Sequence, residues 1–224
     1  MRSVLLWLLV CLPVSFAATA ETAPDTTPDY KEGEAYIRLA SPQPTNTGEN
    51  IEVVELFWYG CPHCFDLEPE INAWLEGKPD DVEFVRIPAI LGARWELLAR
   101  AYFTADLLDV EERIHEPLFE AIHDKKRRFK DEDSVAAFFV EQGIPIEDFT
   151  STFNSFAVAT RVNNAKLMTR RYQIDGVPTL VINGKYRTTG RLAGGNTQMI
   201  QVMEYLVDQE RGDGDSEASA TVAQ

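Results

Sequence analysis

The chain has 224 residues, a formal net charge of −15 at neutral pH and an ordinary apolar content of 45%. That length fits one domain with an insertion, or two small domains, and the apolar content is enough for a core. So acidic a balance argues against nucleic acid or an anionic membrane surface as partner. The one basic cluster, Lys125-Lys126-Arg127-Arg128 with Lys130, is flanked by Asp124, Asp131, Glu132 and Asp133, and reads as a solvated helix end or loop.

Residues 1–20 have the three parts of a secretory signal peptide. Met1-Arg2 gives a charged start, an apolar run extends from Val4 through Leu12, Pro13 breaks it, and Ala18-Thr19-Ala20 offers a small-residue cleavage site. The apolar run is too short to span a bilayer, which takes about 20 residues. Removing it takes Cys11 away and leaves Cys61 and Cys64 as the cysteines of the mature chain. Two cysteines three positions apart close almost no loop, so their bond adds little stability. A redox role explains them better than a structural staple does.

Residues 21–33 are rich in Thr, Pro, Asp and Glu and read as a flexible lead-in. Residues 41–50 read as a loop. Residues 51–58, IEVVELFW, form a short β-branched and aromatic run that suits a central strand covered on both faces. Tyr59-Gly60 turns the chain. Cys61 then opens a helix with Pro62 in its first turn, where proline is tolerated, and Pro69 is expected to kink it. Residues 82–87 alternate in polarity and predict a second strand, parallel to the first through the helical crossover.

From 91 to 160 the strand pattern disappears. Helices are expected near 95–103, 110–122, 134–142 and 148–158, forming an inserted helical domain. Residues 163–172 are again helical, and 177–182 predict a strand. Asn183-Gly184 is a strong hairpin signal, 185–187 begin the returning strand, and 196–207 give a last helix. Residues 211–224 are expected to be a disordered polar tail. The α/β part thus comprises 34–90 and 161–210, interrupted by 91–160.

The chemistry centres on Cys61-Pro62-His63-Cys64, at a strand-to-helix junction. The spacing puts both sulfurs on one side of the first helical turn, close enough to bond. The unpaired N–H groups and dipole of that turn stabilise an anion at Cys61, and a protonated His63 would add to this. Cys61 is therefore the expected attacking and attacked sulfur, and Cys64 the buried resolving thiol. Only the reduced form contains the thiolate, so stabilising it makes the disulfide easier to reduce. Below ambient pH, each further pKa unit favours the reduced state by about 1.4 kcal/mol, or roughly 30 mV. The motif leans towards an oxidant. The competing reading, half a zinc site, lacks the four ligands such a site needs. No metal and no cofactor beyond the Cys61–Cys64 disulfide are expected.

Two further elements are candidates. Val177-Pro178 precedes a strand facing the CxxC. A proline there is often cis, and the backbone beside it suits an extended peptide added as a strand. Glu55 is an unexpected carboxylate inside a buried strand. Buried, its pKa would rise and it could take the proton of Cys64. On an edge strand it would simply face outward. His115 and His123 read as surface residues.

Residues 55–64, the helical block, Gly176-Val177-Pro178 and the 181–186 segment VINGKY together resemble the DsbA family of bacterial periplasmic thiol:disulfide interchange proteins, over about residues 34–208. The resemblance implies a thioredoxin-like fold with an inserted helical domain and, together with the signal, a periplasmic address; a monomer is expected. It implies donation of the Cys61–Cys64 disulfide to unfolded or newly exported cysteine-containing proteins through a mixed disulfide. It also implies reoxidation by a quinone-linked membrane partner resembling DsbB, a cis-proline loop at Val177-Pro178, and Glu55 as the buried acid. The sequence departs from the family at Trp58-Tyr59-Gly60 and in its acidic surface and tail. A disulfide reductase, a peptide-binding chaperone with an idle CxxC, and a transferase using Cys61 alone remain alternatives.

Overall fold

The computed structural model describes the backbone of residues 29–222 and the side chains of 29–212. The expected signal peptide and residues 21–28 of the lead-in lie outside the described residues. In chain order the elements are β1 (Ile37–Arg38), β2 (Ile51–Phe57), α1 (Pro62–Glu76), β3 (Val82–Pro88), α2 (Ala93–Leu107), α3 (Glu111–His123), α4 (Glu132–Glu141), α5 (Ile146–Phe153), α6 (Phe156–Arg171), β4 (Thr179–Ile182), β5 (Tyr186–Thr189), α7 (Gly190–Ala193) and α8 (Asn196–Val222).

The five strands form one mixed sheet, in the order β1-β5-β4-β2-β3. β2 runs parallel to β3 and antiparallel to β4, so it is an inner strand. All seven of its residues are buried. That is the environment its near-continuous apolar run requires, and it excludes an edge position for Glu55. Alternation along β2 divides the core. Val53 packs with Leu67, Ile71, Met199 and Val202 of α1 and α8, whereas Val54 and Leu56 face Tyr172 and Ile174 on the other side. The β4–β5 turn is the expected hairpin, with Asn183 and Gly184 both at positive φ, 48° and 62°. A Cβ at Gly184 would lie 2.1 Å from the backbone oxygen of Gln43, so this turn needs glycine twice over.

Helices α2 to α5 and α6 enter between β3 and β4. Their core continues directly into Phe57, Tyr59, Cys61 and Cys64, so the block packs on the end of the central strand. The predicted break between the fourth and fifth helices falls earlier than the sequence pattern placed it. Ser155 caps α6 by accepting a hydrogen bond from the Val158 N–H at 3.1 Å, which starts that helix before residue 160.

Other elements differ from the sequence reading as well. β1 was too short to show a pattern. α1 continues through Pro69. The end of the expected lead-in is held in place, because Tyr30 packs edge-on to Tyr205 and its hydroxyl donates to Gln201. α8 runs on to Val222, so the backbone of 211–222 is helical where a disordered tail was expected. The Glu and Ala in EASATV favour helix once α8 supplies a nucleus.

Candidate active site

Cys61 is the N-cap of α1, with extended backbone (φ −95°, ψ 116°). Its N–H donates to Trp58 O at 2.9 Å, which closes the turn that follows β2. Pro62 occupies the first helical turn, where its missing N–H costs nothing. Both cysteines are free thiols; Cys61 is 9% exposed and Cys64 fully buried. Gly60 has a steric reason of its own. The Trp58 ring lies over it, 2.4 Å from where a Cβ would stand, and Trp58 stacks on Trp95 with ring centres 4.3 Å apart.

The two thiols are pushed in opposite directions. The pKa of Cys61 is lowered from 9 to about 6. Its hydrogen bond with the Cys64 thiol is the largest cause, the N–H groups of Cys64 and His63 and the His63 charge add to it, and burial opposes it. Burial drives Cys64 well above its ordinary value, and Cys61 and the Glu55 charge push the same way. Cys61 is thus the thiolate and Cys64 the thiol. His63 is 78% exposed at its side chain, with Nδ1 4.0 Å from Asp66.

The Val177–Pro178 peptide is cis, and Val177 O lies 3.4 Å from Cys61 Sγ. The loop before β4 therefore meets the N-terminus of α1, as the sequence placed it. Beside them opens a groove of about 550 Å³, bounded by His63, Asp175, Gly176, Pro178, Thr189 and Arg191, among others.

Glu55 is fully buried, and its carboxyl is raised to about 8. Burial is the main cause, Glu68 adds to it, and Arg86 opposes it. It belongs to a larger buried polar network that the sequence reading missed. Arg86 donates to Glu55 and to Glu68, each at 3.2 Å. Glu68 Oε1 lies 3.2 Å from His115 Nε2, and His115 Nδ1 lies 2.8 Å from the Tyr59 hydroxyl. Burial works against the Glu68 charge, but His115 and Arg86 together hold it below the ordinary carboxylate range.

Neither His115 nor His123 is a surface residue. His115 is buried, and His123 bonds Tyr59 O at 2.8 Å while stacking on Phe65 at 5.1 Å. Both lie on the face of α3 that closes over α1. Two signals for the network were present in the sequence. Glu68 follows Cys64 by four residues and precedes Ile71 by three, which puts it on the buried face of α1. Arg86 interrupts an apolar strand as Glu55 does. Among the described residues, no group of three or more His, Cys, Asp or Glu side chains is placed to hold a metal ion.

Comparison with known proteins agrees with this geometry. The family model for the DSBA-like thioredoxin domain matches residues 52–207. Thiol:disulfide interchange protein DsbA of Pseudomonas aeruginosa is 39% identical over 211 residues, covering 94% of this chain and 98% of the relative. The protein of the same name from Pseudomonas syringae pv. tomato is 43% identical over 181 residues, covering 81% and 85%. The crystal structure of Pseudomonas aeruginosa DsbA superposes with a TM-score of 0.81 at 42% identity, covering 84% of this chain and 97% of that one. That of oxidoreductase DsbA from Xylella fastidiosa gives 0.77 at 35% identity, covering 82% and 98%. A strand-to-helix CPHC motif facing a cis-proline loop, in a fold that matches over 84% of the chain and with the family model spanning residues 52–207, makes this chain a member of the DsbA family of thiol:disulfide oxidoreductases.

Proposed function

We propose that the protein is an exported dithiol oxidase, which donates the Cys61–Cys64 disulfide to newly exported proteins. A substrate thiolate attacks Cys61 Sγ. The Cys61–Cys64 bond breaks, its electron pair leaves on Cys64, and Cys64 takes up a proton. A second substrate thiolate then attacks the substrate sulfur of the mixed disulfide and expels Cys61 as a thiolate. The substrate gains a disulfide and the enzyme is left as a dithiol, two electrons richer.

One observation carries this direction: Cys61 is held as an anion at the N-cap of α1. That anion exists only in the reduced enzyme, so its stabilisation drives the disulfide towards reduction. Cys64, held neutral, is suited to resolve a stalled mixed disulfide after losing its proton. Glu55, the buried carboxylate whose charge acts on Cys64, is the group for that proton. His63 supports the Cys61 charge from the solvent side, and Pro62 fixes the turn between the cysteines. The Val177-Pro178 backbone beside the groove receives the substrate as an added strand.

The reading includes a periplasmic address, a monomer, and reoxidation by a quinone-linked membrane protein of the DsbB type. The signal-like residues 1–20 and the family support the first, and the family supports the rest. Among the described residues no helix is long and apolar enough to cross a membrane.

The test is the redox equilibrium of the mature protein against glutathione, followed by Trp fluorescence and thiol mass-tagging. A potential well above the glutathione couple supports the donor. A potential as low as that of thioredoxin, about −270 mV, makes the protein a reductase. Full biological activity of Cys61→Ser would instead make it a chaperone.

A further inference from the structure

The groove beside the cysteines carries an uncompensated positive charge in a protein whose overall charge is −15. Two of its lining residues are formally charged at neutral pH, Asp175 and Arg191. Asp175 is paired, with Oδ1 3.2 Å from Arg187 Nη1. Arg191 is exposed and makes no ion pair among the described residues. The lining also includes His63, Val177 and Pro178, so a segment that fills the groove meets both the loop facing the reacting sulfur and Arg191. A second source of positive charge lies outside the groove lining, at the end of α3. His123 touches Tyr59 and Phe65, and the basic segment that follows it leaves Lys126 and Arg128 exposed without a carboxylate partner.

We propose that Arg191 is a specificity-determining residue, which favours substrate segments carrying an acidic side chain close to the reacting cysteine. This rests on the disulfide-donor reading above. The net charge of the protein repels acidic partners at long range, but that field is screened beyond about 8 Å at physiological salt. Within the groove the nearest unpaired charge is what a bound segment meets, and that charge is positive. A single solvated guanidinium gives modest discrimination, expressed in encounter and docking more than in the chemical step.

The experiment uses the oxidised mature protein and two matched peptides, each with one cysteine, flanked by Glu in one and by Lys in the other. The rate at which each peptide reduces the Cys61–Cys64 disulfide is followed by stopped flow with thiol mass-tagging. The quantity read is the Glu-to-Lys rate ratio, in which any general loss of activity or folding cancels. Arg191→Glu is expected to lower that ratio between about threefold and tenfold against wild type. In 1 M salt, where the screening length is about 3 Å, the two proteins are expected to converge. A ratio unchanged by Arg191→Glu overturns the assignment while leaving the donor reading intact. A larger change in Lys126→Glu/Arg128→Glu than in Arg191→Glu moves the selectivity to the end of α3 and also overturns it. If neither peptide reduces the disulfide at a measurable rate, both readings fall.

Discussion

Glu55 and Arg86 are backbone partners in the parallel β2–β3 pair, and their side chains meet at 3.2 Å between Oε2 and Nε. The other carboxyl oxygen, Oε1, is buried without a hydrogen-bond partner. An ion pair satisfied on one side only, and crowded by Glu68, leaves the proton a favourable place to bind. The sign of the pH effect follows. Folding raises Glu55 from 4.5 to about 8, so its contribution to stability is full below about pH 4.5 and is lost as pH rises through 8. Glu55→Gln is expected to remove that component from the stability of the reduced protein, measured by urea unfolding across this window. It should also slow proton-coupled resolution of the mixed disulfide. A variant with the wild-type slope and rate would take Glu55 out of the mechanism.

Cys61 works in the opposite sense. Its pKa falls from 9 to about 6 on folding, so the stability it contributes to the reduced form is present above 9 and lost as pH falls through 6. The Cys64 hydrogen bond is the leading cause. Cys64→Ala should therefore raise the Cys61 pKa from about 6 towards 9, read from thiolate absorbance or alkylation rate against pH. Offered a disulfide-bonded peptide, the same variant should accumulate as a mixed disulfide: Cys61 attacks one peptide sulfur, the other leaves as a thiolate, and no second enzyme thiol remains to release Cys61. A pKa that stays near 6 would assign the stabilisation to the backbone N–H groups of the first helical turn and the His63 charge.

Arg86 holds two buried carboxylates, Glu55 and Glu68. Arg86→Met leaves them facing each other with their shared cation gone, and removing one partner of a buried pair costs about 3–5 kcal/mol. The loss should be greatest at alkaline pH, where Glu55 ionises, and smaller in acid, where it is protonated. Urea unfolding at two pH values checks both magnitude and sign. An equal loss at both would mean that packing of the long side chain, and not its charge, is what matters.

Gly60→Ala places a methyl group where the Trp58 ring now lies. The ring has to move, and with it the Trp58–Trp95 stack. The expected result is a destabilisation of about 1–3 kcal/mol, as for other overpacked sites, with a change in the Trp fluorescence that reports the redox state. Unchanged emission would show that the ring is not seated on the turn.

How much of this the sequence reveals depends on how local each interaction is. The strand–turn–CPHC–helix junction and the Asn183-Gly184 hairpin are written within a few residues each, and both stand as read. The buried network is assembled from positions far apart. Glu68 and His115 are 47 residues apart, and Tyr59 and His115 are 56 apart. Within α3, Leu118, Phe119 and Ile122 stand three, four and seven residues after His115 and mark its face as covered, but they do not say which polar groups meet it there. The groups around His115 come from other parts of the chain: Phe57 of β2, Tyr59 of the turn, Glu68 of α1 and Tyr102 of α2. Glu55 could be recognised as unusual from its neighbours, but its partner Arg86 could be identified only through the register of β2 on β3. That Arg191 has no ion-pair partner among the described residues was illegible for a related reason. Whether a surface charge is compensated depends on which residues the fold places beside it.

The insertion of α2–α6 between β3 and β4 has a temporal side. A chain that emerges from its N-terminus presents Cys61 and Cys64 about a hundred residues before Val177-Pro178 and β4. Until then β2 lacks a neighbour on one edge, and Cys61 lacks the carbonyl that faces it. The cysteine pair and the loop that borders the groove are completed by the same late event, the docking of β4 on β2, a contact of high sequence separation and therefore slow to form. A partly emerged molecule thus has reactive sulfurs but no place to seat a partner, and the finished site arises only when the sheet closes.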